Sequence, residues 1–318
     1  MGITQRIDAV TRIPENFRRT ELPAPRSVKI ELTGRCNYAC SFCARSQRLR
    51  RQEEMDRPLY ERLTVEMRQA GVEELGVFYL GESFMCQWLP EAIAHAKKVA
   101  GFPYVFLTTN GSLATPERVA ACFRAGLDSL KFSVNWADGE QFEAIAGVKE
   151  ALFRATKDNI KAARDARDRV AEETGHRGGL YASYIEYDGA QKARMETLLA
   201  EIRPYVDELY ALPLYNQAAF VAEQERAQGW KPIAGNRGRV GALRDPLPCW
   251  AVFTEGHVTW DGQLSACCFD HDGRFHMGDL TREPFMQAWN SPAFRGLRAA
   301  HLLKDVAGTV CERCVAYQ

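Results

Sequence analysis

The chain has 318 residues, 46% of them hydrophobic and 26% charged, which suits a globular protein of one large domain or one domain with an appendage. Its 41 basic and 41 acidic residues cancel, so no strong field draws it to nucleic acid or an anionic membrane, and a small neutral or cationic substrate fits better. No apolar run nears the roughly 18 residues of a membrane span, and the N-terminus lacks the basic-then-apolar order of a signal peptide, so the expected location is the cytoplasm. In that reducing compartment the ten cysteines read as ligands and catalytic thiols rather than disulfides.

Residues 1–26 are polar and Arg-rich and form a lead-in segment expected to cover one end of the fold. Strand-like runs then alternate with helical ones, at 28–32, 75–80, 104–108, 130–134, 180–187 and 208–214. Six strand–helix units predict an α/β fold over 27–215, a parallel sheet with helices outside, as an open sheet or a partial barrel. Either form gathers function at the carboxyl ends of its strands. Cys36, Cys40 and Cys43 follow the first strand there, Gly81-Glu82-Ser83 the second, Asn110-Gly111 the third and Asn135 the fourth. Residues 216–248 break the pattern with Gly, Arg and Pro and read as a linker or substrate-covering loop. Residues 249–318 carry five cysteines and read as a small metal-stapled module, with a hairpin around Asp261-Gly262 and one helix over 285–303.

Three thiolates in a C-x3-C-x2-C loop make a metal site. A cubane iron–sulfur cluster is ordinarily held by four cysteines, so three leave one iron open; a zinc knuckle is the alternative, short of a fourth ligand. In the last module Cys249, Cys267, Cys311 and Cys314 are spaced C-x17-C-x43-C-x2-C, which suits a fully ligated cluster or a structural zinc. Cys122 lies in a helical run and reads as core, and Cys86 sits just past the Gly-Glu-Ser loop. Cys268, beside Cys267, is left over.

Cys36, Cys40 and Cys43, with Phe42 before the third, resemble the signature of the radical S-adenosylmethionine (SAM) superfamily, and the strand pattern resembles its partial (β/α)6 TIM-like barrel. Gly81-Glu82-Ser83 resembles the Gly-Gly-Glu loop that holds the methionyl amine, with Leu80 in place of the first glycine. Ser133-Val134-Asn135 resembles the polar motif of the fourth strand, with Asn where an acid is common. The resemblance implies a [4Fe–4S] cluster on Cys36, Cys40 and Cys43, and SAM bound by Phe42, Gly81, Glu82, Ser83, Asn110, Ser133 and Asn135. It also implies an electron donor such as flavodoxin or ferredoxin. Residues 249–318 resemble the twitch form of the SPASM extension, which implies an auxiliary [4Fe–4S] cluster on Cys249, Cys267, Cys311 and Cys314.

The architecture is most similar to radical SAM epimerases and dehydrogenases of aminoglycoside biosynthesis, of the neomycin-pathway epimerase type. The leading expectation is epimerisation at a carbinol or amine-bearing carbon of an aminoglycoside or sugar, with Cys268 returning hydrogen from the face opposite to abstraction. Dehydrogenation of an aminocyclitol or sugar alcohol, with the auxiliary cluster as electron acceptor, is the second. Maturation of a ribosomal peptide is the third, set lower because no N-terminal domain large enough to grip a leader peptide is seen; a non-catalytic zinc protein is the fourth. Glu186, Asp188, Tyr215 and Asn216, at the ends of the fifth and sixth strands, are the candidates for binding substrate. His257, His271 and His276 receive no ligand role.

Overall fold

The structure is a computed structural model that describes residues 2–47, 49–187, 189–227, 229–233 and 245–315. Nine strands form one sheet: β1 (Ser27–Ile30), β2 (Glu74–Gly76), β3 (Tyr104–Thr109), β4 (Ser129–Ser133), β5 (Gly179–Ile185), β6 (Glu208–Leu212), β7 (Glu255–Val258), β8 (Gln263–Ser265) and β9 (His276–Asp279). Their order is β6-β5-β4-β3-β2-β1-β7-β8-β9. Every pair from β6 to β7 is parallel, as helical crossovers require, and only β7-β8 and β8-β9 are antiparallel.

Side chains on β3 show how the sheet divides its two faces. Val105 is buried in the core shared with the outer helices, whereas Tyr104, Phe106 and Thr108 face an interior cavity. Lys29 of β1, Lys131 of β4, Tyr210 and Leu212 of β6 and Glu255 of β7 line the same cavity. Strands at opposite ends of an open row can share one cavity only if the sheet curls, so the six expected units form a partial barrel.

The lead-in segment closes the amino-terminal end of that barrel. In helix Ile3–Thr11, Ile3, Arg6, Ile7 and Val10 face the cavity beside Glu74 and Tyr104, the first residues of β2 and β3. Arg6 pairs with Glu74 at 2.9 Å, and its guanidinium lies 3.6 Å from the centre of the Tyr104 ring.

Three features depart from the sequence reading. The hairpin's first strand, β7, pairs in parallel with β1 in the register Lys29 to His257, so the C-terminal residues extend the barrel sheet rather than standing beside it. The helix expected over 285–303 is two helices, Phe285–Trp289 and Pro292–Leu302, because Ser291 accepts the Phe294 N–H at 3.2 Å and Pro292 opens a new first turn. Within 216–248, Gln217–Ala219 and Ala222–Ala227 are short helical turns, whereas 234–244 lie outside the described residues. Among the described residues, no helix is long and apolar enough to cross a membrane.

Candidate active site

The cysteine loop leaves β1 and is held by carbonyls at the end of helix Gly139–Ala146. Ala39 N–H donates to Ala146 O at 2.9 Å and Ser41 N–H to Ile145 O at 2.8 Å. The last carbonyls of a helix have no partner within it, and here the loop supplies one. Buried Tyr38 packs edge-on against Trp136 and Phe142 and shares a 2.9 Å hydrogen bond with Thr156. Cys36, Cys40 and Cys43 are half-buried on this anchored backbone, with a Cys43 N–H to Cys40 O turn at 3.0 Å.

Gly81-Glu82 and Asn110 brace the same loop from the next two strands. A Cβ at Gly81 would come within 2.7 Å of the Arg35 carbonyl oxygen and closer still to that of Thr33, so only glycine lets the two backbones meet. Glu82 N–H donates to that Arg35 oxygen at 2.8 Å. The buried Glu82 carboxylate accepts from Thr109 Oγ1 at 2.8 Å, Asn110 N at 2.7 Å and Phe84 N at 3.1 Å. Burial pushes its carboxyl upward, against the lowering effect of these donors. The Asn110 side chain donates to Asn37 Oδ1 at 2.9 Å and reaches Cys36 Sγ at 3.9 Å.

Cys249, Cys267, Cys268, Cys311 and Cys314 line a second cavity, whose other walls include Trp250, Ala251, Val252, Ala266, Phe269 and Phe275. Burial pushes the Cys249 thiol well up, and Cys311, Cys314 and Cys268 add repulsion; burial, with Cys314, pushes Cys311 up to about 12. Thiols held protonated until a cation takes their charge release protons on loading. Among the described residues, no three His, Cys, Asp or Glu side chains close on a single-ion site. The fit to an iron–sulfur cluster lies instead in the donor set, four cysteines around one largely apolar space, since a cubane takes each thiolate on a different iron. His301, at the end of helix Pro292–Leu302, joins this cavity; burial pushes its imidazole down to about 4.

The barrel cavity measures about 260 Å³ and meets the cysteine module at Cys268 and Phe269. Cys268 therefore borders both cavities. Its thiol is pulled down by a hydrogen bond with Cys267, against burial, with help from the charge of Lys29. The barrel wall next to it carries charges that sequence reading did not single out. Lys29 Nζ and His257 Nε2 both lie on Glu255 Oε2, at 2.8 and 3.0 Å. Burial alone would raise the Glu255 carboxyl, but Lys29 and His257 outweigh it and hold it down to about 2. Tyr79, 5.2 Å ring to ring from His257, donates its hydroxyl to the Cys267 carbonyl.

The remaining expected site residues are dispersed. Phe42 is packed against a small apolar cluster that includes Ile145, Ile185 and Tyr187. Ser83 Oγ is spent on the Val77 carbonyl at 2.8 Å. Ser133 is half-buried at the end of β4, and the Asn135 carbonyl accepts from Tyr187 at 3.2 Å. Tyr215 lines the barrel cavity, 6.0 Å from the Phe269 ring. Asn216 is buried, but its amide donates to the Cys314 carbonyl at 2.7 Å and its oxygen accepts from Ala218 N at 3.1 Å and from Cys314 Sγ at 3.5 Å, so both ends are taken up within the protein. Glu186 is half-exposed and pairs with Lys192 at 3.7 Å, and Asp188 lies outside the described residues. Lys29, Glu255 and His301 were missed, and His257 was named without a role, because single charged or imidazole groups inside strand and helix runs carry no spacing signal.

A three-cysteine loop at the carboxyl edge of a partial barrel, with a second cysteine cavity packed on the same sheet, defines the radical SAM class of iron–sulfur enzymes. Comparison with known proteins gives the same class: residues 30–178 match the model of the radical SAM superfamily, and residues 249–315 match that of the SPASM iron–sulfur cluster-binding domain. The chain thus carries a radical SAM domain and a SPASM-type domain, which together imply SAM, its [4Fe–4S] cluster and auxiliary iron–sulfur ligation. Among curated relatives, the PqqA peptide cyclase of Streptomyces rochei is 33% identical over 127 residues, 40% of this chain and 34% of that protein. The PqqA peptide cyclase of Xanthomonas axonopodis pv. citri is 34% identical over 133 residues, 42% and 35% of the two chains. The matches thus span about a third of those relatives' length. Among solved structures, BtrN in complex with AdoMet and 2-DOIA aligns with a TM-score of 0.57 at 17% identity, over 87% of this chain and 86% of that one. Streptococcus suis SuiB bound to precursor peptide SuiA aligns with a TM-score of 0.63 at 13% identity, over 88% and 68%. At these identities the structural likeness shows the fold.

Proposed function

We propose that the protein is a radical SAM enzyme that modifies a C–H bond in a peptide substrate. The observation that carries this is the 33% identity to a PqqA peptide cyclase over 127 residues, which outweighs the expectation of a sugar substrate. When bound and reduced, the cluster and SAM supply a carbon-centred radical able to take hydrogen from an unactivated C–H bond.

The residues around that chemistry hold and shield. Cys36, Cys40 and Cys43 would hold the first cluster, and Cys249, Cys267, Cys311 and Cys314 the auxiliary one. Gly81, Glu82 and Asn110 keep the cysteine loop against β2 and β3, while helix Ile3–Thr11 closes the barrel floor against water. An apolar wall of Phe78, Phe106 and Phe269, with Lys29 and Glu255 beside it, is suited to orient one substrate side chain.

Anaerobic incubation with SAM, dithionite and a synthetic peptide encoded beside the gene tests the reading by mass spectrometry. Loss of hydrogen from the peptide, matched by 5'-deoxyadenosine, supports it. A peptide left unchanged while an aminoglycoside is converted overturns it.

One observation favours a second reading, hydrogen return to a small substrate such as an aminocyclitol: the Cys268 thiol borders the barrel cavity as well as the cluster cavity. On that reading turnover in deuterated water gives an epimer with one carbon-bound deuterium, whereas a ketone product points to dehydrogenation.

A further inference from the structure

His301 lies against two of the four cysteines read as auxiliary-cluster ligands, Cys249 and Cys311. It occupies the last turn of helix Pro292–Leu302, buried to 1% exposure. Its Nδ1 lies 3.1 Å from the backbone nitrogen of Cys249, and its Nε2 lies 3.3 Å from Cys311 Sγ. These two distances assign the ring. A backbone N–H can only donate, so Nδ1 is an acceptor and carries no proton. A neutral imidazole then keeps its proton on Nε2, which makes that nitrogen a donor aimed at the Cys311 sulfur. The backbone N–H of Cys311 itself is spent on Thr309 Oγ1 at 3.1 Å.

The placement joins the first and third of the four cysteines in chain order. Cys249 enters just after residues outside the described set, and Cys311 lies 62 positions later in the sequence, after both C-terminal helices. His301 ties the two together by one bond to the backbone of the first and one to the sulfur of the second. Hydrogen bonds to cluster sulfurs stabilise the reduced form, which carries more negative charge on sulfur, and so raise the reduction potential.

We infer that His301, held as its Nε2–H tautomer by the Cys249 backbone, donates a hydrogen bond to the Cys311 thiolate and raises the reduction potential of the auxiliary cluster. The inference rests on the reading of Cys249, Cys267, Cys311 and Cys314 as cluster ligands. His301 is a positioning and tuning residue, since it touches the ligand and not the substrate.

Two substitutions separate its two bonds. His301→Gln places an amide N–H where Nε2 lies and keeps the donor to Cys311. His301→Asn places its polar atoms near the Nδ1 position and serves Cys249 alone. In reconstituted protein, iron and sulfide analysis first counts the clusters, and an EPR-monitored redox titration then reads the auxiliary potential. The Asn variant is expected to shift the reduction equilibrium about tenfold toward the oxidised form, about 59 mV for one electron, with the Gln variant restoring most of it. Wild-type protein labelled with 15N-histidine adds a readout that needs no variant: pulsed EPR of the reduced auxiliary cluster should show one coupled histidine nitrogen. An Asn variant with full cluster content and an unshifted potential, or a wild-type spectrum with no histidine coupling, overturns the role of His301. Absence of a second cluster in wild-type protein overturns the ligand reading, and the inference with it.

Discussion

Gly81→Ala tests how the cysteine loop is held. The added methyl would lie within 2.7 Å of the Arg35 carbonyl oxygen and closer to that of Thr33. Both are backbone atoms, so no side chain can rotate away, and either β1's loop or β2's loop must move. Movement stretches the 2.8 Å Glu82 N–H to Arg35 O bond, worth about 1 kcal/mol net. Overpacking against fixed atoms adds about 1–3 kcal/mol. The sum, about 2–4 kcal/mol, lowers the apparent melting midpoint by about 3–6 °C in a chain of this length. Thr33 and Arg35 directly precede Cys36, so displacement should also weaken the first cluster site while leaving the auxiliary one loaded. Differential scanning fluorimetry of the unreconstituted protein reads the first effect, and iron analysis after anaerobic reconstitution reads the second. A variant that melts with wild type and binds as much iron would refute the claim that this close approach positions the loop.

Wild-type protein should bind about eight irons if both sites carry cubanes, and the double variant Cys311→Ala, Cys314→Ala about four; iron and sulfide assay decides. Cys268→Ala should keep full iron content and reductive SAM cleavage while abolishing any deuterium incorporation from solvent into product, and incorporation that persists by mass spectrometry removes Cys268 as the donor. Glu255→Gln breaks a buried pair and should cost about 3–5 kcal/mol in urea denaturation at neutral pH. The Glu255 carboxyl is held near 2 in the fold against an ordinary 4.5, so the folded state binds fewer protons in that window and the stabilisation is present above pH 4.5. It is lost as pH falls through 2, and the gap between wild type and variant should narrow over that range. A gap that stays constant from pH 6 to 3 would contradict the assignment.

The barrel strands were legible because each is a short run of alternating or buried apolar residues followed by a helical pattern, as in Tyr104–Thr109. The β1-β7 pairing was not, since Lys29 and His257 stand 228 positions apart and parallel pairing leaves no local mark. The break at Ser291-Pro292 was written in the sequence as an N-cap followed by proline, and a continuous apolar pattern on either side masked it. Cysteines announced the site because their spacing repeats a known ligand logic. Glu82 was legible as a loop acid, but not its three internal donors, which depend on how β3 and its following turn sit beside it. His301 gave no signal at all: a histidine in the last turn of a helix reads as an ordinary helix-end residue until Cys249 and Cys311 are seen on either side of it.

The parallel β1-β7 pair also constrains how the two halves cooperate. Cys36 follows β1, and Cys267 and Cys268 follow β8, whose partner β7 is locked to β1 over four residue pairs. Across that seam Lys29 pairs with Glu255, and Glu31, itself paired with Arg50 on the barrel side, accepts the Trp260 N–H at 3.2 Å. Trp260 in turn donates its ring N–H to Arg51 O at 3.2 Å, so the hairpin grips the far end of the cysteine loop as well. Two cysteine sites joined by a continuous sheet and a row of polar contacts cannot swing independently, as they could across a linker. Cys268 is therefore set against the barrel cavity by the fold itself. The same sheet that carries the Cys36–Cys43 loop at the end of β1 therefore also fixes Cys268 on the cavity wall.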